Sequence, residues 1–289
     1  MKGLLLAAGK GTRLYPATLP VCKPLLPVYD KPLLYFPLAV LLQAGVRDIM
    51  IIVPPGERHP FENLLGDGSR FGVSISYKSQ LVPRGIADAF LVGEEFIGGD
   101  EVCLVLGDNI FYGPGLDRLL AQARAQRQGA TVFGYWVRDP RPFGVVEFDA
   151  QGRAVSIEEK PTQPKSNYIV PGLYFYDNQV VRIAHGLQPS PRGELEITAV
   201  NNAYLEQGRL QVAALPQDFT WLDAGTADSL LEAANTVQRL EKQEKRQIAC
   251  VEEIAWRQGW ISLDQLRRSG EKFKSTPYGQ YILSLPDEK

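Results

Sequence analysis

The sequence predicts an α/β protein with a mostly parallel central sheet, helices on both faces, and a helical C-terminal region. Three observations carry that prediction. Apolar, β-branched runs alternate with helix-patterned segments through the first half of the chain. Glycines and polar residues follow several of these runs directly, at the strand ends where ligands of such sheets sit. After about Asp139 the runs shorten and alternate, and from Ala227 onward the pattern is mainly helical.

Taken in order, Lys2–Ala8 reads as a buried strand and Lys31–Gly45 as a helix, with Pro32 near its start and Gly45 as its stop. Asp48–Pro54 ("DIMIIVP") is a second buried strand, and Ser74–Gln80 a third. Gly85–Ile97 has a helical pattern, Glu101–Leu106 is a continuous apolar strand, Gly115–Gly129 an amphipathic helix, and Ala130–Val137 a strand. Gly144–Phe148 and Ala154–Glu159 flank "DAQG" and predict a hairpin. Asn167–Asp177 and Arg209–Leu215 read as strands, with a helix over Glu194–Gln207 between them. The charged run "RLEKQEKRQ" reads as a solvated helix face. The expected organisation is one core over 1–226, changing character at 138/139, and a helical region over 227–289.

Composition narrows the function. With 31 cations against 33 anions the net charge is −2, which argues against a nucleic-acid surface or a polybasic membrane anchor. No apolar stretch approaches the roughly 20 residues that span a bilayer, and the opening run is too short for a signal peptide. Cys22, Cys103 and Cys250 show neither zinc nor redox spacing and read as free thiols of a cytoplasmic protein.

The opening stretch "KGLLLAAGKGTRL" suggests a phosphate binder. Gly9-Lys10-Gly11-Thr12-Arg13 leads to Leu14, so the third glycine of a dinucleotide fingerprint is missing, and no Walker A string occurs. What remains is a glycine turn whose N–H groups can approach a polyphosphate, with Arg13 and Lys23 as counter-charges. A tight turn followed by surface cations accounts for the same residues.

Further along, "LVLGDN" places Asp108 directly after a buried strand, and "WLDAGT" places Asp223 beside a glycine. Two such aspartates can share one Mg²⁺, which takes a few carboxylates plus phosphate oxygens; a helix cap is the plainer role for Asp108. "SIEEKP" closes a strand with Glu159 and Lys160, either an ion pair or a carboxylate for sugar hydroxyls beside a phosphate-holding lysine. Arg192 in "PRGELEIT" suits a phosphate contact or a solvated loop. Gln80 offers a donor and an acceptor to a pyrimidine imide edge, and Gly85 would let a base approach the backbone. His59 and His185 lie in surface-like contexts.

These residues carry a resemblance. "LLLAAGKGTRLYPATLPVCKPLLPVYDKPLLYFPL", "LVLGDNIFYGPGL", "FGVVEF", "EEKPTQPKSNYIVPGLYFYDN", "RGELEIT", "WLDAGT" and "YGQYIL" together resemble the sugar-1-phosphate nucleotidylyltransferases, nearest the branch that uses dTTP and glucose 1-phosphate. The resemblance runs collinearly over nearly the whole chain. It implies the Rossmann-like, nucleotide-diphospho-sugar transferase type of fold, with a nucleotide-binding part over about 1–138 and a sugar-binding subregion over about 139–226.

It also implies site roles. Ala8, Gly9, Gly11, Thr12 and Arg13 would hold the triphosphate, Lys23 would bridge the reacting phosphates, and Gln80 and Gly85 would read thymine. Asp108 and Asp223 would bind Mg²⁺. Asn109, Gly144, Glu159, Lys160, Val170 and Arg192 would line the glucose 1-phosphate site. A homotetramer with a feedback site for dTDP-rhamnose near Gly115, Glu253, Ile254 and Arg257 is implied as well. Ala8, Lys10, Pro24, Arg84, Asp88 and Phe143 depart from the family's usual pattern and leave base and sugar preference open. A uridylyltransferase, an enzyme of a modified sugar phosphate, and an idle sugar-nucleotide sensor are the alternatives.

Overall fold

A computed structural model describes residues 1–287. Its main sheet has ten strands. From edge to edge the order is Ala154–Glu159, Gly144–Phe148, Tyr168–Ile169, Ala130–Trp136, Leu173–Tyr176, Val102–Leu106, Lys2–Leu6, Asp48–Val53 and Ser74–Ser79. The tenth, Leu210–Ala214, pairs with Ala130–Trp136 in parallel. Val102–Leu106, Lys2–Leu6, Asp48–Val53 and Ser74–Ser79 form an all-parallel half. Only Ala154–Glu159, Tyr168–Ile169 and Leu173–Tyr176 run against the common direction.

Both faces of this sheet are covered, which is why its strands read as continuous apolar runs. Leu5, Ile51 and Val105 face a cluster shared with helices Tyr35–Gln43, Arg58–Leu65 and Leu116–Ala125 and with the C-terminal helices. Leu4, Ile52 and Leu104 face the other side, against Asp88–Val92, Gln179–Gly186 and Ile197–Glu206. The hairpin over Gly144–Phe148 and Ala154–Glu159 pairs antiparallel, as its alternation predicts.

Three elements differ from the sequence reading. The helix expected over Lys31–Gly45 begins only at Tyr35, because Lys31–Pro32 pairs with Pro27–Val28; it does end before Gly45, which turns left-handed (φ 74°). The strand expected over Asn167–Asp177 is interrupted around Pro171, which lacks an N–H for the ladder. That break lets Leu173–Tyr176 insert between Val102–Leu106 and Ala130–Trp136. The helix expected over Gly85–Ile97 divides at Gly93 into Asp88–Val92 and Glu94–Ile97.

The C-terminal helices are Ala227–Glu244, Val251–Arg257, Leu263–Lys272 and Pro277–Ser284. The first starts on a reciprocal cap, in which the Thr226 hydroxyl accepts from the Ser229 amide and the Ser229 hydroxyl accepts from the Thr226 amide. Its charged run is not wholly solvated, contrary to the sequence reading. Glu241 is buried, accepting from the Lys31 ammonium at 2.7 Å and the Ile248 amide at 2.8 Å.

Candidate active site

The site begins where the parallel strands end. The Ala7 amide donates to the Ile52 carbonyl at 2.8 Å and the Gly107 amide to the Leu6 carbonyl at 2.9 Å, so three strand ends open at one level. A Cβ on Gly107 would lie 2.9 Å from the Leu6 oxygen, so a side chain there would wedge the first strand from its neighbour. The opening turn then swings out. Gly11 is left-handed (φ 63°), and its carbonyl accepts from the Thr18 hydroxyl at 2.7 Å. Ala8 is buried beside Leu4, Met50 and Ile52, so its methyl belongs to the core, whereas the space in front of Gly9 is open.

Asp108 and Asp223 meet through a small two-stranded sheet that the sequence reading lacked. Asn109–Tyr112 pairs antiparallel with Thr220–Asp223, placing Asp223 opposite Asn109, and the Ala224 amide donates to the Asp108 carbonyl at 3.0 Å. The buried Lys23 ammonium donates to the Asp108 carboxylate. Asn109 donates to the other Asp108 oxygen at 2.8 Å, and its own oxygen accepts from the Trp221 indole at 2.7 Å and the Gly172 amide at 3.0 Å. Asn109 is thereby locked in place behind the aspartate.

Burial and the charge of Asp108 push the Asp223 carboxyl up to about 6, against the pull of Lys23 and Arg13. Gly225 leaves room for that last cation: a Cβ there would meet the Arg13 guanidinium at 2.8 Å and Asp223 Oδ2 at 3.0 Å. No group of three or more His, Cys, Asp or Glu suited to a metal occurs among the described residues. A pair of carboxylates, one of them strained by the charge of the other, nevertheless fits a divalent cation whose remaining ligands are substrate oxygens.

Asp108, Asp223 and Arg13 open onto a cavity of about 620 Å³ that Asn109, Gly144, Glu159, Lys160, Val170 and Arg192 also line. Of the residues predicted to hold the triphosphate, Arg13 shares this space with the sugar-phosphate group, while Ala8, Gly9, Gly11, Thr12 and Lys23 lie outside its lining. Glu159 closes its strand and accepts from the Thr198 hydroxyl. Lys160 follows in a left-handed conformation (φ 46°) that few non-glycine residues adopt, and this turns it into the same cavity as its neighbour. Arg192 is held by Glu196 at 2.8 Å and by Glu159 at 3.3 Å, so an incoming phosphate must compete with carboxylates for it.

The sequence reading assigned no role to Trp221, Tyr135 or Thr198, which also line the cavity. Trp221 packs edge-on to Phe143 (5.4 Å between centroids) and against Tyr135 (5.6 Å), forming an apolar wall. The Trp221 signal was visible beside Asp223 in "WLDAGT"; nothing in the sequence marks Thr198.

Gln80 and Gly85 stand apart from this cavity. The Gln80 backbone N–H donates to the Val53 carbonyl at 3.0 Å, keeping Gln80 at the carboxyl end of the parallel half. Gly85 (φ 101°) answers first to packing, since a Cβ there would lie 2.5 Å from the Leu195 carbonyl. Glu253, Ile254 and Arg257 line a second cavity, of about 250 Å³, with Phe36, Leu116 and Asp117; Gly115 caps the helix that supplies the last two.

Residues 2–239 match the model of the nucleotidyl transferase family. The chain is 57% identical to glucose-1-phosphate thymidylyltransferase of Neisseria meningitidis serogroup A over 285 residues, covering 99% of each chain. It is 54% identical to the enzyme of that name from Mycobacterium tuberculosis, again over 99% of both. Among solved structures it superimposes with TM-score 0.76 and 42% identity on a Bacillus anthracis protein assigned as a glucose-1-phosphate thymidylyltransferase, in complex with sucrose, over 82% of this chain and 94% of that one.

Proposed function

The chain belongs to the nucleotidyl transferase family, and we propose that it joins dTTP to α-D-glucose 1-phosphate, giving dTDP-glucose and pyrophosphate. The observation that carries this reading is the single cavity in which Arg13, Asp108 and Asp223 face Glu159, Lys160 and Arg192. Two polyanions must meet there, and the chain supplies cations from both sides.

The mechanism follows from charge. The phosphate oxygen of the sugar phosphate is already ionised near neutral pH and needs no general base. Arg13, Lys23 and Lys160 offset the repulsion as that oxygen approaches the α-phosphorus, and they stabilise charge on the equatorial oxygens. Lys23 is bonded to Asp108 in the free protein, so binding of the triphosphate transfers this ammonium from a carboxylate to a phosphate. Asn109, fixed by Trp221 and Gly172, keeps Asp108 oriented through that exchange. Asp108 and Asp223 would hold Mg²⁺, which supplies Lewis-acid neutralisation of phosphate charge.

We read the displacement as direct and in line. A single turnover without sugar phosphate should leave no nucleotide on the protein; an adduct would refute this. Pyrophosphate release from dTTP with glucose 1-phosphate tests the activity itself, and UTP and amino- or deoxy-sugar phosphates in the same assay set its limits. Absence of release from dTTP with glucose 1-phosphate overturns the reading.

The product would feed dTDP-deoxysugar synthesis, such as that of dTDP-rhamnose, in the cytoplasm. Three unpaired thiols support that compartment, and no helix among the described residues is long and apolar enough to cross a membrane. We assign the nucleotide-binding part to about 1–138, the sugar-phosphate part to 139–226, and oligomeric or regulatory roles to 227–289. The cavity beside Glu253, Ile254 and Arg257 supports a feedback site in a homotetramer. Light scattering and inhibition by dTDP-rhamnose test those two points.

A further inference from the structure

We propose that Asp88 is a positioning residue that locks the Gln80 side-chain amide in one orientation, so that its acceptor Oε1 keeps one place before the nucleobase and cannot exchange with Nε2. This rests on the thymidylyl-transfer reading above and names what would enforce its base choice. Asp88 is 1% exposed and Gln80 is 5% exposed. Gln80 Nε2 donates to Asp88 Oδ2 at 2.7 Å, and the Arg84 guanidinium donates to Asp88 Oδ1 at 2.6 Å. Beyond its pairing with Arg84 and Gln80, the Asp88 carboxylate has no side-chain partner among the described residues.

The orientation of an amide is ambiguous wherever its partner can both donate and accept. Here it is not, because an ionised carboxylate only accepts. Nε2 must face Asp88, and the Arg84 guanidinium holds the other oxygen of that carboxylate. Gln80 Oε1 then points away, and it has no partner among the described residues and is not among their buried, unsatisfied atoms.

The position suits a base. Gln80 lies at the end of Ser74–Ser79, two strands from the end of Lys2–Leu6 where the glycine turn begins. Two strand spacings are about 10 Å, a span that a nucleotide can cover from base to phosphates. A fixed acceptor matches the N3–H of thymine or uracil. Cytosine presents a lone pair at N3, so two acceptors would face each other with no donor between them. A free glutamine would rotate its amide by half a turn and accept cytosine; the buried carboxylate prevents that rotation. The expectation that Gln80 offers a donor and an acceptor is thereby sharpened to a fixed placement of the acceptor.

The test compares kcat/KM for dTTP and dCTP, with glucose 1-phosphate, in the wild type, Asp88→Asn, Gln80→Ala and the double variant. Asp88→Asn should lower the dTTP-over-dCTP ratio by about tenfold or more, chiefly through KM, because the site would no longer hold a fixed acceptor. In the Gln80→Ala background the same substitution should leave the ratio unchanged. A wild-type ratio in Asp88→Asn, or an equal fall in both backgrounds, overturns the lock while leaving thymidylyl transfer intact. A wild type that makes no sugar nucleotide from dTTP removes the parent reading and this one together. Should Asp88→Asn fail to fold, a wild-type crystal structure with dTTP decides: the Gln80–Asp88 bond is expected to persist, and its rupture on binding overturns the proposal.

Discussion

Two buried lysines of this molecule pair with carboxylates, and their surroundings differ. Lys31 meets Glu241 Oε1 at 2.7 Å and Asp30 at 2.5 Å beneath the C-terminal helices, with the Phe36 and Tyr278 rings 5.5 and 5.8 Å from its ammonium. The Ile248 amide donates to the same Glu241 oxygen, and Glu241 Oε2 is buried without a partner among the described residues. Lys23 meets Asp108 beside an open cavity, with the second carboxylate of Asp223 close by. The first pair is enclosed and ties helix Ala227–Glu244 to the core. Each has a second carboxylate nearby, Asp30 for Lys31 and Asp223 for Lys23, but only the Lys23 pair faces an open cavity where polyanions fit. Burial of a charged pair thus says little about its role; whether the pair opens onto space that a ligand can enter says more.

The largest expected effect breaks the enclosed pair. Lys31→Met leaves Glu241 buried without its cation, and should lower unfolding free energy by about 3–5 kcal/mol in denaturant titrations. The double variant Lys31→Met, Glu241→Leu should recover much of that loss. Michaelis constants for both substrates should stay near wild type in whatever fraction remains folded.

The open pair should respond in the opposite sense. Asp108→Asn and Asp223→Asn should each lower kcat by about 10²–10³-fold, as removal of a charge-organising group does elsewhere. Near-wild-type turnover in either variant removes that residue from the chemistry.

Asp223 also carries a pH signature. Its carboxyl is raised to about 6, so the folded protein binds its proton more tightly than the unfolded chain does. The resulting strain is absent below about pH 4, grows as pH rises, and is complete above about pH 6. Asp223→Asn should therefore stabilise the ligand-free protein at pH 8 by at most about 2–3 kcal/mol and do nothing at pH 4. Turnover in the wild type should fall as pH drops through about 6. A melting temperature for Asp223→Asn that tracks wild type at every pH contradicts this.

Smaller effects sharpen the contrast at its edges. Glu196→Gln weakens the hold on Arg192, and the KM for glucose 1-phosphate should shift by a few fold, or about 1 kcal/mol. Ser262→Ala removes the cap of helix Leu263–Lys272, where the Ser262 hydroxyl accepts from the Gln265 amide. It should cost about 1 kcal/mol of stability with no kinetic consequence.

Much of the site was legible because phosphate chemistry demands distinctive residues at strand ends. Lys23, Asp108, Asp223 and Lys160 stand out as charges beside apolar runs and glycines, and their motifs keep a recognisable order. Glu241 was not legible, since a charged run looks alike whether all of it is solvated or one member turns inward. The lock on Gln80 was equally hidden: the spacing of four from Arg84 to Asp88 suggests a pair, but nothing in sequence places a glutamine against it. Thr198 touches Glu159 only because Ile197–Glu206 packs across the hairpin.

Sequence by itself determined the alternation of strand and helix, the parallel half, the hairpin, and the family whose motifs the chain carries. These follow from periodicity and from residue types that local chemistry constrains. Tertiary structure alone decided the pairing of Asn109–Tyr112 with Thr220–Asp223, which brings the two aspartates together. It decided too that Lys160 turns left-handed into the cavity and that Ala8 packs inward while Gly9 stays open. Such outcomes depend on long-range pairing and on which side chain fills the remaining space, and neither has a local signature.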